Sequence, residues 1–156
     1  MMLADSIVDY LSQSWVTRDP AEAVQELQQS VGADSSSRYI ALMRTALDLA
    51  EFYEGQPVMV IVLDARGYIR FVNDFACHEM GYQCGMLIGK NYRAVVHEDD
   101  MTPGEKRNGD LNMRASIAVA SRRWLTGDGK YKSIFWLPTS WVSEHILAMG
   151  MVVDKD

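Results

Sequence analysis

Two hydrophobic patterns divide the chain. Over the first third, apolar residues recur every three or four positions, whereas beyond residue 57 they come in short β-branched and aromatic runs cut by glycines. Leu3, Ile7, Leu11 and Trp15, with Val8 beside them, make one stripe of a first helix. Asp19-Pro20 reads as an N-cap and first helical position, and Val24, Leu27 and Val31 share a face until Gly32 stops it. Ser35-Ser36-Ser37 offers caps to a third helix with the stripe Tyr39, Leu42, Met43, Ala46, Leu47, Ala50 and Tyr53, broken by Gly55-Gln56-Pro57. No such helix buries its stripe alone. The three are expected to pack on one another, on a sheet, or on a second copy of the chain.

The pattern then changes to strands. Val58-Met59-Val60-Ile61-Val62-Leu63 is an unbroken apolar run, β-branched enough to read as a buried strand. Asp64-Ala65-Arg66-Gly67 follows as a hairpin loop, with Gly67 supplying a positive φ, and Tyr68-Ile69-Arg70-Phe71-Val72 returns as a second strand. Asn73 ends that strand and can cap a short helix carrying Phe75, Ala76 and Met80, closed by Gly81. Residues 91–96 read as a turn or two of helix, and His97-Glu98-Asp99-Asp100 as a polar connection. Residues 102–110 are poor in apolar side chains and support only a short or irregular helix.

The β pattern resumes at Met113, Ile117 and Val119 and continues through Trp124-Leu125; Gly127-Asp128-Gly129 reads as a hairpin turn, and residues 131–137 as the next strand. Pro138 lacks an N–H for a ladder and marks an edge, a bulge or the strand's end. In the last strand Ile146, Ala148, Gly150 and Val152 fall on one side and Leu147, Met149, Met151 and Val153 on the other. Both sides are apolar, so both faces of this strand are expected to be covered.

Composition narrows the function. With 156 residues the chain suits one domain or a small domain with an extension. Fifteen basic against 21 acidic residues, a net charge of −6, argue against a nucleic-acid partner. No apolar run could span a bilayer and no signal pattern opens the chain, which is expected to be cytoplasmic. Cys77 and Cys84 are too few for a disulfide framework and are expected as reduced thiols, Cys77 as a small core residue. Nucleophile-elbow, phosphate-loop and His-Glu-x-x-His motifs are missing, and four adjacent residues such as His97 to Asp100 rarely converge on one ion, so neither an enzyme nor a metal site is expected.

The ordered set of apolar strand, Asp64-x-x-Gly67, apolar strand, Asn73, short helix, Gly81-Tyr82, Ile88-Gly89-Lys90 and His97-Glu98-Asp99-Asp100 resembles a PAS domain. The resemblance covers residues 57–154, leaving 1–56 as a helical cap or dimerisation extension. It implies an α+β fold: a five-stranded antiparallel sheet with short helices on one face. It further implies a sensor that binds a small ligand or cofactor and signals by repacking of a homodimer or of flanking helices. The effector would be of histidine kinase, diguanylate cyclase or transcription-regulator type. Asp154 falls where members often carry an aspartate leading into the effector, and is the expected relay.

Gly89-Lys90-Asn91-Tyr92-Arg93 is similar to the motif of the light-oxygen-voltage branch, with Tyr92 where that branch has its reactive cysteine. A tyrosine cannot form the flavin adduct. Val96, Trp124, Ile134 and Val152 stand at the positions of that branch's flavin-binding amides, which implies an apolar pocket. Haem, held in some members by a histidine near this helical segment, would look to His97. The expected pocket residues are Tyr92, His97, Trp124, Trp136 and Met149, with cofactor identity open. The rival reading is a ligand-free association module, and a third is a small enzyme on the same fold.

Overall fold

The computed structural model describes residues 19–29, 34–101, 103, 120–142 and 144–153. The expected first helix over residues 3–15, the strand start near Met113 and Asp154 lie outside the described residues.

Two helices open the described chain, α1 (Pro20–Gln29) and α2 (Ser35–Phe52). Asp19 caps α1, its carboxylate accepting the Glu22 N–H at 3.0 Å. Asp34, rather than the serines after it, caps α2, accepting the Ser37 N–H at 2.9 Å. The charged acceptor faces the positive end of the helix dipole, which a serine hydroxyl exploits less well. The Thr45 hydroxyl bonds its own helix at Ala41 O (2.8 Å) and approaches Ala23 O of α1 (3.4 Å). Ala23 and Leu27 are the buried positions of α1, with Val24 only half-buried. Leu42, Met43, Ala46 and Leu49 of α2 are buried.

Five strands follow: β1 (Met59–Asp64), β2 (Ile69–Val72), β3 (Ala120–Leu125), β4 (Tyr131–Val142) and β5 (His145–Val152). They form one antiparallel sheet in the order β2-β1-β5-β4-β3. Between β2 and β3 lie α3 (Asp74–Met80), α4 (Cys84–Leu87) and two 3₁₀ turns, Tyr92–Ala94 and Glu98–Asp100. The second of these turns lies within the polar connection expected at His97 to Asp100; the His97 ring accepts the Asp99 N–H and so caps it.

The sheet has two apolar faces. Val60, Val62, Phe71, Leu147 and Val142 form an outer layer under α2, while Met59, Ile61, Ile69, Ile134, Ile146 and Ala148 form an inner layer under α3, α4 and the segment from Tyr92 to Val96. Pro138 marks a bulge. The register slips between Pro138 and Ser140, so Trp136 and Trp141 both turn inward although their numbers differ in parity. The Thr139 hydroxyl donates to Leu147 O at 3.0 Å, holding the extra residue.

Local chemistry fixes the β1–β2–α3 unit. Asp64 turns the first hairpin by accepting from Arg66 N (2.9 Å) and Tyr68 N (3.0 Å), and its other oxygen holds the Arg70 guanidinium at 2.6 Å. Gly67 adopts φ +92°, as the turn requires. Asn73 Oδ1 accepts from Val60 N (3.0 Å) and Ala76 N (3.3 Å), and Nδ2 donates to Val58 O (3.0 Å), so one amide joins β1 to the start of α3. Gly81 closes α3 in the left-handed region.

The expectation of free thiols is overturned. Cys77 and Cys84 form a disulfide, their Cα atoms 5.4 Å apart, tying α3 to α4. The Gly81 cap folds the chain back and brings residues seven apart side by side.

Candidate functional site

Aromatic side chains gather on the inner face. Val96 bridges to Trp124 and so brings the Tyr92 segment alongside β3. The Tyr92 and Trp124 rings stack 6.5 Å apart, and the Trp124 and Trp136 rings lie 5.2 Å apart and tilted. Two glycines make room for this cluster. A Cβ on Gly67 would sit 2.8 Å from the Tyr92 ring, and one on Gly150 would sit 2.7 Å from the Trp136 ring. The hairpin glycine and the β5 glycine are therefore seats for aromatic rings as well as backbone devices.

The cluster is buried, and besides the Tyr92 hydroxyl it carries two indole nitrogens. Trp124 is 3% exposed and Trp136 6%. Their indole N–H groups are buried with no hydrogen-bond partner among the described residues. Buried tryptophans ordinarily find an acceptor, and leaving a buried donor unpaired costs about 1–3 kcal/mol. The carbonyls that flank Trp124 along β3 are engaged: Arg123 O accepts from His97 N at 2.9 Å, and Leu125 O accepts from the Tyr82 hydroxyl at 2.9 Å.

Of the five expected pocket residues, the structure brings Tyr92, Trp124 and Trp136 together. His97 is set apart: Nδ1 accepts the Asp99 N–H at 3.1 Å, and its ring contacts Tyr131, 4.9 Å away, instead of the core cluster. Met149 packs with the outer cluster, on the opposite face of the sheet from the tryptophans. Alternation along β5 decides this, because Ala148 and Gly150 take the inner positions.

The residues do not fit the two cofactors considered. Val96, Trp124 and Ile134 are buried and Val152 partly so, and none is an amide: Trp124 can only donate and the other three have no polar side-chain atom, so the paired donors and acceptors of a flavin edge are not matched. His97 has its Nδ1 occupied by the Asp99 N–H and its ring against Tyr131, where a haem ligand would present a free nitrogen to iron and donate from the other. Among the described residues, no three His, Cys, Asp or Glu side chains are grouped to hold a metal ion. Among them, too, no helix is long and apolar enough to cross a membrane.

An ion pair borders the site. Arg123 donates through Nε (3.0 Å) and Nη2 (2.9 Å) to the two carboxylate oxygens of Asp100, whose Oδ2 also accepts the Arg123 N–H at 2.7 Å. These hydrogen bonds hold the Asp100 carboxyl down to about 2. The pair fastens the second 3₁₀ turn to β3.

A concavity of about 800 Å³ lies elsewhere, between the end of α2, the edge strand β2 and α3. Leu47, Glu51, Arg70, Phe75, His78 and Cys84 are among its walls, and none of the expected pocket residues is. Its walls come from elements that only tertiary packing assembles, so no spacing in the sequence signals it.

The family model of the PAS fold matches residues 47–145. A PAS domain from a two-component sensor histidine kinase aligns with a TM-score of 0.52 at 14% identity, over 69% of this chain and 93% of that one. A domain of a sensory box sensor histidine kinase/response regulator from Geobacter sulfurreducens gives 0.50 at 15% identity, over 70% and 96%. The PAS domain of a Desulfitobacterium hafniense protein gives 0.50 at 17% identity, over 67% and 99%. At these identities the likeness is one of fold. No curated protein matches the chain.

Proposed function

This chain belongs to the PAS family, and from that premise we propose that it is a sensory and regulatory module without catalytic residues. A small ligand occupies the inner face at Tyr92, Trp124 and Trp136, and the signal passes through repacking of the flanking helices or of a homodimer to an effector. That effector is of histidine kinase, diguanylate cyclase or transcription-regulator type, Asp154 beyond β5 is the relay, and the site of action is the cytoplasm.

One observation carries the reading. β1 and β5 feed both layers alternately: Val60, Val62 and Leu147 lie under α2, while Met59, Ile61, Ile146 and Ala148 face the inner cluster. A displacement of the inner layer therefore moves the same backbone on which α2 rests. Its reach is bounded by the ligand's differential affinity for the two arrangements.

The test is an ultraviolet-visible spectrum and denaturing mass spectrometry of protein purified without added cofactor, followed by amide exchange with and without the released molecule. A released mass that alters protection in α2 supports sensing. A clean spectrum with no released mass counts against it.

A second reading, a ligand-free association module, is favoured by one feature of the outer face. Leu137 is 47% exposed and Met151 52%, and Met151 pairs across the ladder with Phe135. Loss of self-association in Leu137→Asp or Met151→Asp, measured by sedimentation, would support it.

A further inference from the structure

The two indole donors say what kind of molecule suits the inner face. We propose that the site takes a small, neutral, apolar molecule bearing a carbonyl oxygen, held by the indole N–H groups of Trp124 and Trp136. This inference rests on the ligand-sensing reading above and deepens it.

Both tryptophans are more than nine-tenths buried, and both Nε1 atoms end on no acceptor among the described residues. One orphan donor would be a local irregularity. Two on rings 5.2 Å apart are a recognition element of one polarity, donors only. An indole N–H cannot accept, so the complementary group has to be an acceptor. A carbonyl oxygen carries two lone pairs, enough for both donors.

The surroundings choose a neutral acceptor over an anion. Tyr92, Val96, Ile134 and Ala148 share the buried cluster with the two indoles, and an ionised group taken out of water among them would need a counter-charge. Arg122, on the same face of β3 as Trp124, is buried and already partnered. A ketone, aldehyde, ester or amide oxygen on an aliphatic or planar body satisfies the donors without that requirement. The aromatic walls supply contact area for the body, and the indole donors fix its orientation.

Two probes of matched shape test this: 1-indanone and indane, which differ by one carbonyl oxygen. Each is titrated into ¹⁵N-labelled protein while the indole N–H resonances are followed. Trp124→Phe and Trp136→Phe assign the two signals, and through-space contacts to Tyr92 and Gly150 assign them should either variant fail to fold. The expected result is a saturable downfield shift of both signals with 1-indanone, and binding at least tenfold tighter than that of indane, as two neutral hydrogen bonds imply.

Equal affinity for the two probes, or binding of 1-indanone that leaves both indole signals unmoved, overturns the proposal. So does exchange contact of the indoles with a long-lived internal water that 1-indanone does not displace. A molecule released from the purified protein that lacks an acceptor oxygen overturns it too, yet leaves the sensing reading standing. If neither probe binds and nothing is released, the proposal and the sensing reading fall together.

Discussion

Replacing Asn73 by alanine tests the join between sheet and helix. The side chain is 8% exposed and makes three bonds: Oδ1 accepts from Val60 N and Ala76 N, and Nδ2 donates to Val58 O. Loss of the helix cap at Ala76 costs about 1 kcal/mol. The Val60 N–H, in a fully buried strand residue, loses its acceptor at a further cost of about 1–3 kcal/mol. Because Val58 is less buried, its carbonyl can turn to water at little cost. The sum is about 3 kcal/mol. Urea unfolding followed by tryptophan fluorescence and far-ultraviolet dichroism measures it, with an unchanged m-value expected. On a chain of this size the same loss lowers Tm by about 10 °C. A loss of 1 kcal/mol or less would mean that only a cap had been removed, and would refute the claim that this amide closes the β1 ladder.

Three further outcomes follow from the same structure. Gly150→Ala sets a Cβ 2.7 Å from the Trp136 ring and 3.1 Å from Ile134 Cγ2; a destabilisation of about 1–3 kcal/mol with a shifted tryptophan emission is expected, and an unchanged spectrum would count against the seat. Asp100, held at about 2 against an ordinary 3.8, contributes stability that is fully present above pH 3.8 and is lost as pH falls through about 2. With the pair partly solvated, that contribution is about 1 kcal/mol, and Asp100→Asn should flatten the stability slope in that window alone, as acid titration of the unfolding midpoint would reveal. The Cys77–Cys84 bond closes a short loop, so reduction should lower stability by about 2 kcal/mol; alkylation of the unreduced, denatured protein should leave both cysteines unlabelled, and two additions before reduction would disprove the bond.

Local signals in the sequence were legible where one residue decides the geometry. Gly67, Asn73 and Gly81 each occupy the turn or cap that their backbone freedom or side-chain amide suits. The succession of five strands followed from short apolar runs between turns, whereas the helix Cys84–Leu87 gave no such signal. Features that depend on a neighbour distant in sequence were not. Nothing in the spacing of Cys77 and Cys84 distinguishes two thiols on one helical segment from a bridge; the chain reversal at Gly81 does. Asp34 displaced the serines as a cap because charge adds to hydrogen bonding at a helix start. Tyr92, Trp124 and Trp136 converge because bulky aromatics in a two-layer fold fill the space that small residues such as Gly150 leave. Met149 was expected in the pocket, but the alternation of its strand sends it to the other layer.

The bulge at Thr139 makes β4 a strand with a change of phase. Before it the even-numbered residues look inward; after it the odd-numbered ones do, with Trp141 in the inner layer and Val142 in the outer. What the position encodes is length more than chemistry. Removing Thr139 would restore a uniform alternation with Trp141 still inward and Val142 still outward; what would exchange the two, thrusting an indole under α2 and leaving a valine where the inner layer holds a ring, is keeping the residue and pairing it regularly. Deletion of Thr139 should therefore cost only the local bend and the bond to Leu147 O, whereas a residue inserted beyond the bulge and paired regularly should exchange the layers and be tolerated far less.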